Sequence, residues 1–107
     1  MKDEFLEHLL AIIKSKKDEN PEKSYTAMLQ QSEINETLKK IEEEAYEVID
    51  AVKLKNKSNI VHEVADLWFH CLVLLAKQDL TVVDITNELK NRQGISGIEE
   101  KLNRNKN

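Results

Sequence analysis

The chain has 107 residues, 40% of them hydrophobic and 34% charged, which is enough for one core and leaves little for a second domain. Two glycines and one proline exclude collagen-like, loop-rich and turn-dense all-β architectures, because each hairpin needs its turn residues. Sixteen Lys and Arg against 20 Asp and Glu give a formal charge of −4, which argues against unaided binding to nucleic acid or to an anionic membrane surface.

Phe5, Leu6, Leu9, Leu10, Ile12 and Ile13 recur at helical spacing and predict a first amphipathic helix that ends in the charged stretch from Lys14 to Glu19. Pro21 marks a break, and Ser24 to Gln31 reads as a loop or a short helix. Ile34, Leu38, Ile41, Ala45, Val48, Ile49 and Val52 predict a long second helix from Ser32 to Lys55 whose apolar stripe faces a core. Asn56 to Asn59 interrupts that pattern as a short link. Ile60 to Lys77 follows, apolar around most of its circumference, so protein should surround it nearly completely. Thr81 then caps a last helix, with Asp84 in the capping-box position and Leu80 placed to staple onto Ile85. That helix should stop near Arg92, ahead of Gly94, leaving residues 95–107 as a mostly polar tail. The fold expected is a single all-α domain over residues 1–107, a compact antiparallel bundle of four to five helices. So few short helices cannot cover the apolar surface of the Ile60 to Ala76 helix, which implies a homodimer or higher homo-oligomer with that helix near the interface.

Cys71 stands alone among apolar neighbours, so it reads as a buried small hydrophobe in a reducing, cytoplasmic setting. Met1 to Lys17 lacks the basic start, apolar run and cleavage site of a signal peptide. The longest apolar run, Cys71 to Ala76, falls short of the ~20 residues of a membrane span.

The informative residues are the polar ones in the apolar helix. At about 100° per residue, Asn59, His62, Glu63, Asp66, His70 and Lys77 all fall within a sector of roughly 100°. This stripe either faces water or lines a polar cleft. Asp is a poor interior helix former, so Asp66 needs another reason to be there. Glu63 and Asp66, three residues apart on one face, can hold one hard cation. Glu44 and Glu47 form a second pair on the preceding helix. Glu42, Glu43, Glu44, Glu47 and Asp50 also make a charge run, which by itself is ordinarily a solvated face. Because the two helices are joined by a short link, the pairs can converge on one cleft. Clustered carboxylates repel each other but suit Mg²⁺ or Mn²⁺, whereas a lone cysteine and the absence of a suitable His pair argue against zinc. No Glu is followed by His at the third position, which removes a di-iron bundle. His70 can orient a carboxylate, touch substrate or simply sit in the core; His62 and His8 read as ordinary residues.

The spacing Glu44-x-x-Glu47 and Glu63-x-x-Asp66 on consecutive helices resembles the all-α nucleoside-triphosphate pyrophosphohydrolase superfamily. With Ser24-Tyr25-Thr26-Ala27, the run from Lys40 to Val48, Asp66-Leu67 with His70, and the tail from Arg92 to Lys101, it is most similar to the phosphoribosyl-ATP pyrophosphatase family of histidine biosynthesis. Lys23 and Glu42 stand where that family usually has glycine. The resemblance implies hydrolysis of the α–β phosphoanhydride of phosphoribosyl-ATP to phosphoribosyl-AMP and pyrophosphate. It also implies a Mg²⁺ or Mn²⁺ cofactor on Glu44, Glu47, Glu63 and Asp66, and substrate contacts from Ser24, Tyr25 and Thr26. Within that picture Glu43 or Glu44 accepts the proton of the attacking water, and Lys40 meets a phosphate or pairs with Glu44. Two other functions remain open at this point: a housecleaning pyrophosphohydrolase acting on ordinary or damaged nucleotides, and a non-catalytic acidic helical module.

Overall fold

The computed structural model describes residues 3–93, Asp3 by its backbone alone, as five helices in chain order: α1 (Asp3–Ser15), α2 (Tyr25–Gln31), α3 (Ile34–Lys53), α4 (Lys57–Lys77) and α5 (Val82–Asn91). No strand occurs among the described residues, in keeping with the all-α expectation. Gly94 and the 95–107 tail lie outside them.

Side-chain capping decides several boundaries. The segment after Pro21 becomes helical because the Ser24 hydroxyl accepts the Ala27 N–H at 3.1 Å, and Gln31 then closes the preceding loop by donating to the carbonyls of Lys17 and Glu19. Asn56 and Ser58 start α4 rather than interrupting the chain: Asn56 Oδ1 accepts from Asn59 N–H and from the Ser58 hydroxyl. The α3–α4 link is thereby reduced to Leu54–Asn56, which holds the two long helices side by side as an antiparallel hairpin. At α5 the capping box is complete, with Thr81 and Asp84 each accepting the other's backbone N–H. Leu80 and Ile85 both remain exposed, so hydrogen bonds, not an apolar staple, hold that end.

Two non-glycine residues sit at positive φ, Lys55 at 58° in the α3–α4 link and Asp79 at 54° after α4. Asp79 occupies the left-handed position of a helix stop in which Leu80 N–H reaches back to the Leu75 carbonyl at 3.0 Å. Because a side chain in this region costs roughly 1–2 kcal/mol and Asp tolerates it better than Lys, Lys55→Gly should stabilise the protein by up to about 1 kcal/mol and Asp79→Gly by less. Thermal melts of the two variants at one protein concentration check this.

The core is built by α1, α2, α4 and α5, from Leu10, Ile13, Leu29, Leu72, Val73 and Val82, with Leu6, Leu9, Phe69, Leu75 and Ala76 packed against it. The hairpin departs from the sequence expectation here. Helix α3 turns Thr37, Glu44 and Ala51 inward, which is the edge of its apolar stripe; the stripe itself, including Ile34, Leu38, Ile49 and Val52, stays 40 to 53% exposed. Helix α4 is not surrounded either: it buries only His70, Leu72 and Val73, while Val61 is 69% and Trp68 57% exposed. Five short helices from one chain run out of surface to cover it.

Lys77, at the end of α4, donates to the Ser32 carbonyl (2.8 Å), the Ser32 hydroxyl (3.0 Å) and the Thr37 hydroxyl (2.6 Å). All three acceptors are neutral, and burial lowers the ammonium's pKa. The contact ties α4 to the two-residue joint between α2 and α3. By length and composition α4 alone among the described helices could cross a membrane, but Glu63 and Asp66 lie near its middle and its C-terminal half is seated in the core.

Candidate active site

The polar stripe of α4 divides in two. Its C-terminal members, His70 and Lys77, point into protein, whereas Asn59, His62, Glu63 and Asp66 open on the α3–α4 face. Across that face stand the carboxylates of α3. Oxygens of Glu44, Glu47 and Glu63 lie within 4.8 Å of one another, so the α3 pair meets one member of the α4 pair in space, while Asp66 falls in a separate group with His62 and Glu63.

Glu44 is the anchor of this cluster. It is only 7% exposed, and its Oε2 is buried without a hydrogen-bond partner. Burial, and then the neighbouring Glu47 and Asp66, raise its pKa above the ordinary carboxyl range. Glu63 is raised as well, by desolvation and by Glu47. An acceptor without a donor inside a set of mutually repelling carboxylates is the arrangement a hard divalent cation fits, since it satisfies the buried oxygen and cancels the repulsion. Glu44, Glu47 and Glu63 could hold such an ion, and Asp66 stands beside them. Among the described residues cysteine contributes nothing to this set: burial pushes the Cys71 thiol up, and it lies outside the cluster.

His70 is 5% exposed. A carbonyl can only accept, so the Asp66 carbonyl at 2.9 Å requires the proton on Nδ1 and leaves Nε2 buried and without a partner. Its charge, when present, would act to lower the pKa of Glu44, and a direct contact with substrate would have to pass through that one nitrogen.

Between α2 and the N-terminal half of α3 lies an open groove of about 300 Å³ lined by Met28, Leu29, Ser32, Glu36, Lys39, Lys40 and Glu43. Its floor is apolar and its rim charged. Lys40 Nζ stands 3.5 Å from Glu43 and so pairs with Glu43 instead of Glu44; nearby Tyr25, then Glu43 and Glu44, raise its pKa. Tyr25 is half exposed, and Ser24, whose oxygen caps α2, and Thr26 are partly buried at the start of the same helix. The groove was not foreseen, because Met28, Ser32 and Lys39 carry no periodic signal that would place α2 against α3.

The family model for phosphoribosyl-ATP pyrophosphohydrolase matches residues 6–93. A phosphoribosyl-ATP pyrophosphatase of Hydrogenovibrio crunogenus is 49% identical over 111 residues, covering 100% of this chain and 98% of its own. Proteins of the same name from Nitrosomonas eutropha and Neisseria meningitidis are 47% and 46% identical, covering 95% and 97% of this chain and 87% and 97% of their own lengths.

Proposed function

The chain belongs to the phosphoribosyl-ATP pyrophosphohydrolase family, and from that premise we propose that it hydrolyses the α–β phosphoanhydride of phosphoribosyl-ATP, releasing phosphoribosyl-AMP and pyrophosphate in histidine biosynthesis. The observation that carries the reading is the buried, unpartnered Glu44 oxygen inside a carboxylate cluster on the α3–α4 face. Glu44, Glu47, Glu63 and Asp66 would hold a Mg²⁺ or Mn²⁺ ion. A divalent ion bound there supplies charge neutralisation and Lewis acidity for phosphoryl transfer.

The remaining work falls to side chains. Lys40 and Lys39 draw the anionic substrate toward the groove, and Ser24, Tyr25 and Thr26 contact it from the start of α2. Glu43 or Glu44 would take the proton of the attacking water. Burial makes Glu44 the more basic than usual, while Lys40 holds Glu43 in place. His70 lies behind the cluster, its Nδ1 tied to the Asp66 carbonyl. The activity is that of one cytoplasmic domain, where Cys71 stays reduced.

A panel assay of pyrophosphate release from phosphoribosyl-ATP and the common nucleoside triphosphates, with and without Mg²⁺, tests the reading. Turnover confined to phosphoribosyl-ATP supports it. Equal turnover of ordinary nucleotides would make the protein a housecleaning enzyme, and none at all a non-catalytic module.

The functional unit is a homodimer closed by the hairpin. Val61 and Trp68, one heptad apart on α4, and the exposed stripe of α3 form an apolar surface that this chain does not cover. Trp68 is the chain's one tryptophan and reports on that surface. Its emission should be blue-shifted at micromolar concentration and move to the red on dilution, in step with dissociation measured by sedimentation. A solvent-exposed spectrum at every concentration would rule the dimer out.

A further inference from the structure

Helix α2 has seven residues, buries only Ala27 and Leu29, and packs on α1 and α4 rather than on α3. Little packing across the α2–α3 groove is therefore available to set its width. The two helices are joined by Ser32 and Glu33 alone, and Lys77 reaches that joint from α4. Its ammonium finds one acceptor for each of its three protons: the Ser32 carbonyl at 2.8 Å, the Ser32 hydroxyl at 3.0 Å and the Thr37 hydroxyl at 2.6 Å. Ser32 caps the end of α2, its N–H bonded to the Met28 carbonyl and its hydroxyl donating to the Leu29 carbonyl at 2.8 Å. Thr37 lies in the first turn of α3 and is 2% exposed. One side chain thus grips the end of one wall of the groove and the beginning of the other, and Met28, Leu29 and Ser32 all line that groove.

We propose that Lys77 is a positioning residue for substrate: by fixing α2 against α3 it sets the shape of the groove, and so governs how tightly substrate is held rather than how fast it reacts. This rests on the reading of the groove as the place where the anionic substrate binds. The chemistry of the contact favours it over plain packing. No carboxylate pairs with Lys77 among the described residues, and a half-buried charge held only by neutral acceptors costs more than an apolar side chain of the same length would. What the ammonium supplies in return is three donors diverging from one atom, which the flat fork of an arginine does not reproduce. The carboxylate cluster stands on other turns of α3 and α4, with Glu63 and Asp66 three and four turns before Lys77, so the chemical step has no contact with this clamp.

Amide hydrogen exchange and steady-state kinetics with phosphoribosyl-ATP, on wild type, Lys77→Met and Thr37→Val, test it. Thr37→Val keeps the shape of the side chain and removes one acceptor, so it carries the test if Lys77→Met does not fold. In either variant the amides of residues 27–32 should exchange about tenfold faster, while those of residues 63–73 keep their protection. KM should rise about tenfold for Lys77→Met and less for Thr37→Val, with kcat within about twofold of wild type. The double variant should lose little more than Lys77→Met alone, because both changes break one network. Unchanged exchange in α2, faster exchange with KM unmoved, or a loss confined to kcat would each overturn the clamp and leave the hydrolase reading standing. Wild type that turns over no phosphoribosyl-ATP would overturn that reading and the proposal with it.

Discussion

Glu44→Gln, Glu47→Gln, Glu63→Gln and Asp66→Asn, made one at a time, should each leave a folded helical protein whose pyrophosphate release is lowered by about a hundredfold to a thousandfold, the usual cost of losing one group that stabilises developing charge. Each change removes a negative charge with little change in volume, so the fold is not at issue. Glu44, Glu47 and Glu63 approach one another within 4.8 Å from two helices, and Asp66 neighbours Glu63 on α4. Glu42→Gln is the control. It lies in the same charge run but is exposed and outside the cluster, and its loss should be mild. Circular dichroism with the pyrophosphate assay on all five variants decides the matter. Turnover near that of wild type in two or more of the four would place the chemistry elsewhere.

Mg²⁺ should raise the melting temperature of wild type by roughly 10–20 °C, taking about 2.7 kcal/mol at a hundredfold excess over Kd and about 4–8 °C per kcal/mol for a domain of this size. The rise should depend on pH. Burial and Glu47 raise the pKa of Glu44, so the folded state binds a proton there more tightly than the unfolded chain does. For a carboxyl shifted upward, the penalty is absent below the ordinary value of 4.5 and sets in as pH climbs toward the raised folded value. The metal-free protein therefore loses stability from this group above about pH 4.5. Metal binding requires the charged carboxylates and removes their repulsion, so the Mg²⁺-induced shift should be larger at pH 7.5 than at pH 5. Asp66→Asn should melt at or above metal-free wild type and respond weakly to Mg²⁺. Melts at one protein concentration, at both pH values, with and without millimolar Mg²⁺, check the sign. A melting temperature unmoved by Mg²⁺, even with pyrophosphate present to complete the coordination, would remove the premise of a cation site.

The helices and the two acidic pairs could be read from the sequence because both depend on local spacing. A period near 3.6 places Glu44 and Glu47, or Glu63 and Asp66, on one face whatever the tertiary setting. What lay outside that reach depends on how helices rotate against their neighbours. The apolar stripe of α3 named the residues that want cover but not which body supplies it, and in this chain Thr37, Glu44 and Ala51 take the inward place. The same rotation separates His70 and Lys77, which are turned into protein, from His62 on the same stripe. Asn56 and Ser58 resembled a break because cap residues and loop residues share a composition; only the hydrogen bonds to Asn59 and Ser58 tell them apart. The groove between α2 and α3 needs both helices in place before it exists at all.

Helix α4 is seated at one end and functional at the other. Leu72 and Val73 lock its C-terminal half into the core and Lys77 pins its last turn, while Glu63 and Asp66 project from the half that lies free of that core. The segment between behaves as a shaft that transmits angle. One residue inserted or deleted between Asp66 and Leu72 would turn the acidic end by about 100° and slide it by about 1.5 Å, with the seated end unmoved. Every carboxylate of α4 would then leave the cleft together. The number of residues from 66 to 72 is therefore a fixed dimension of the enzyme.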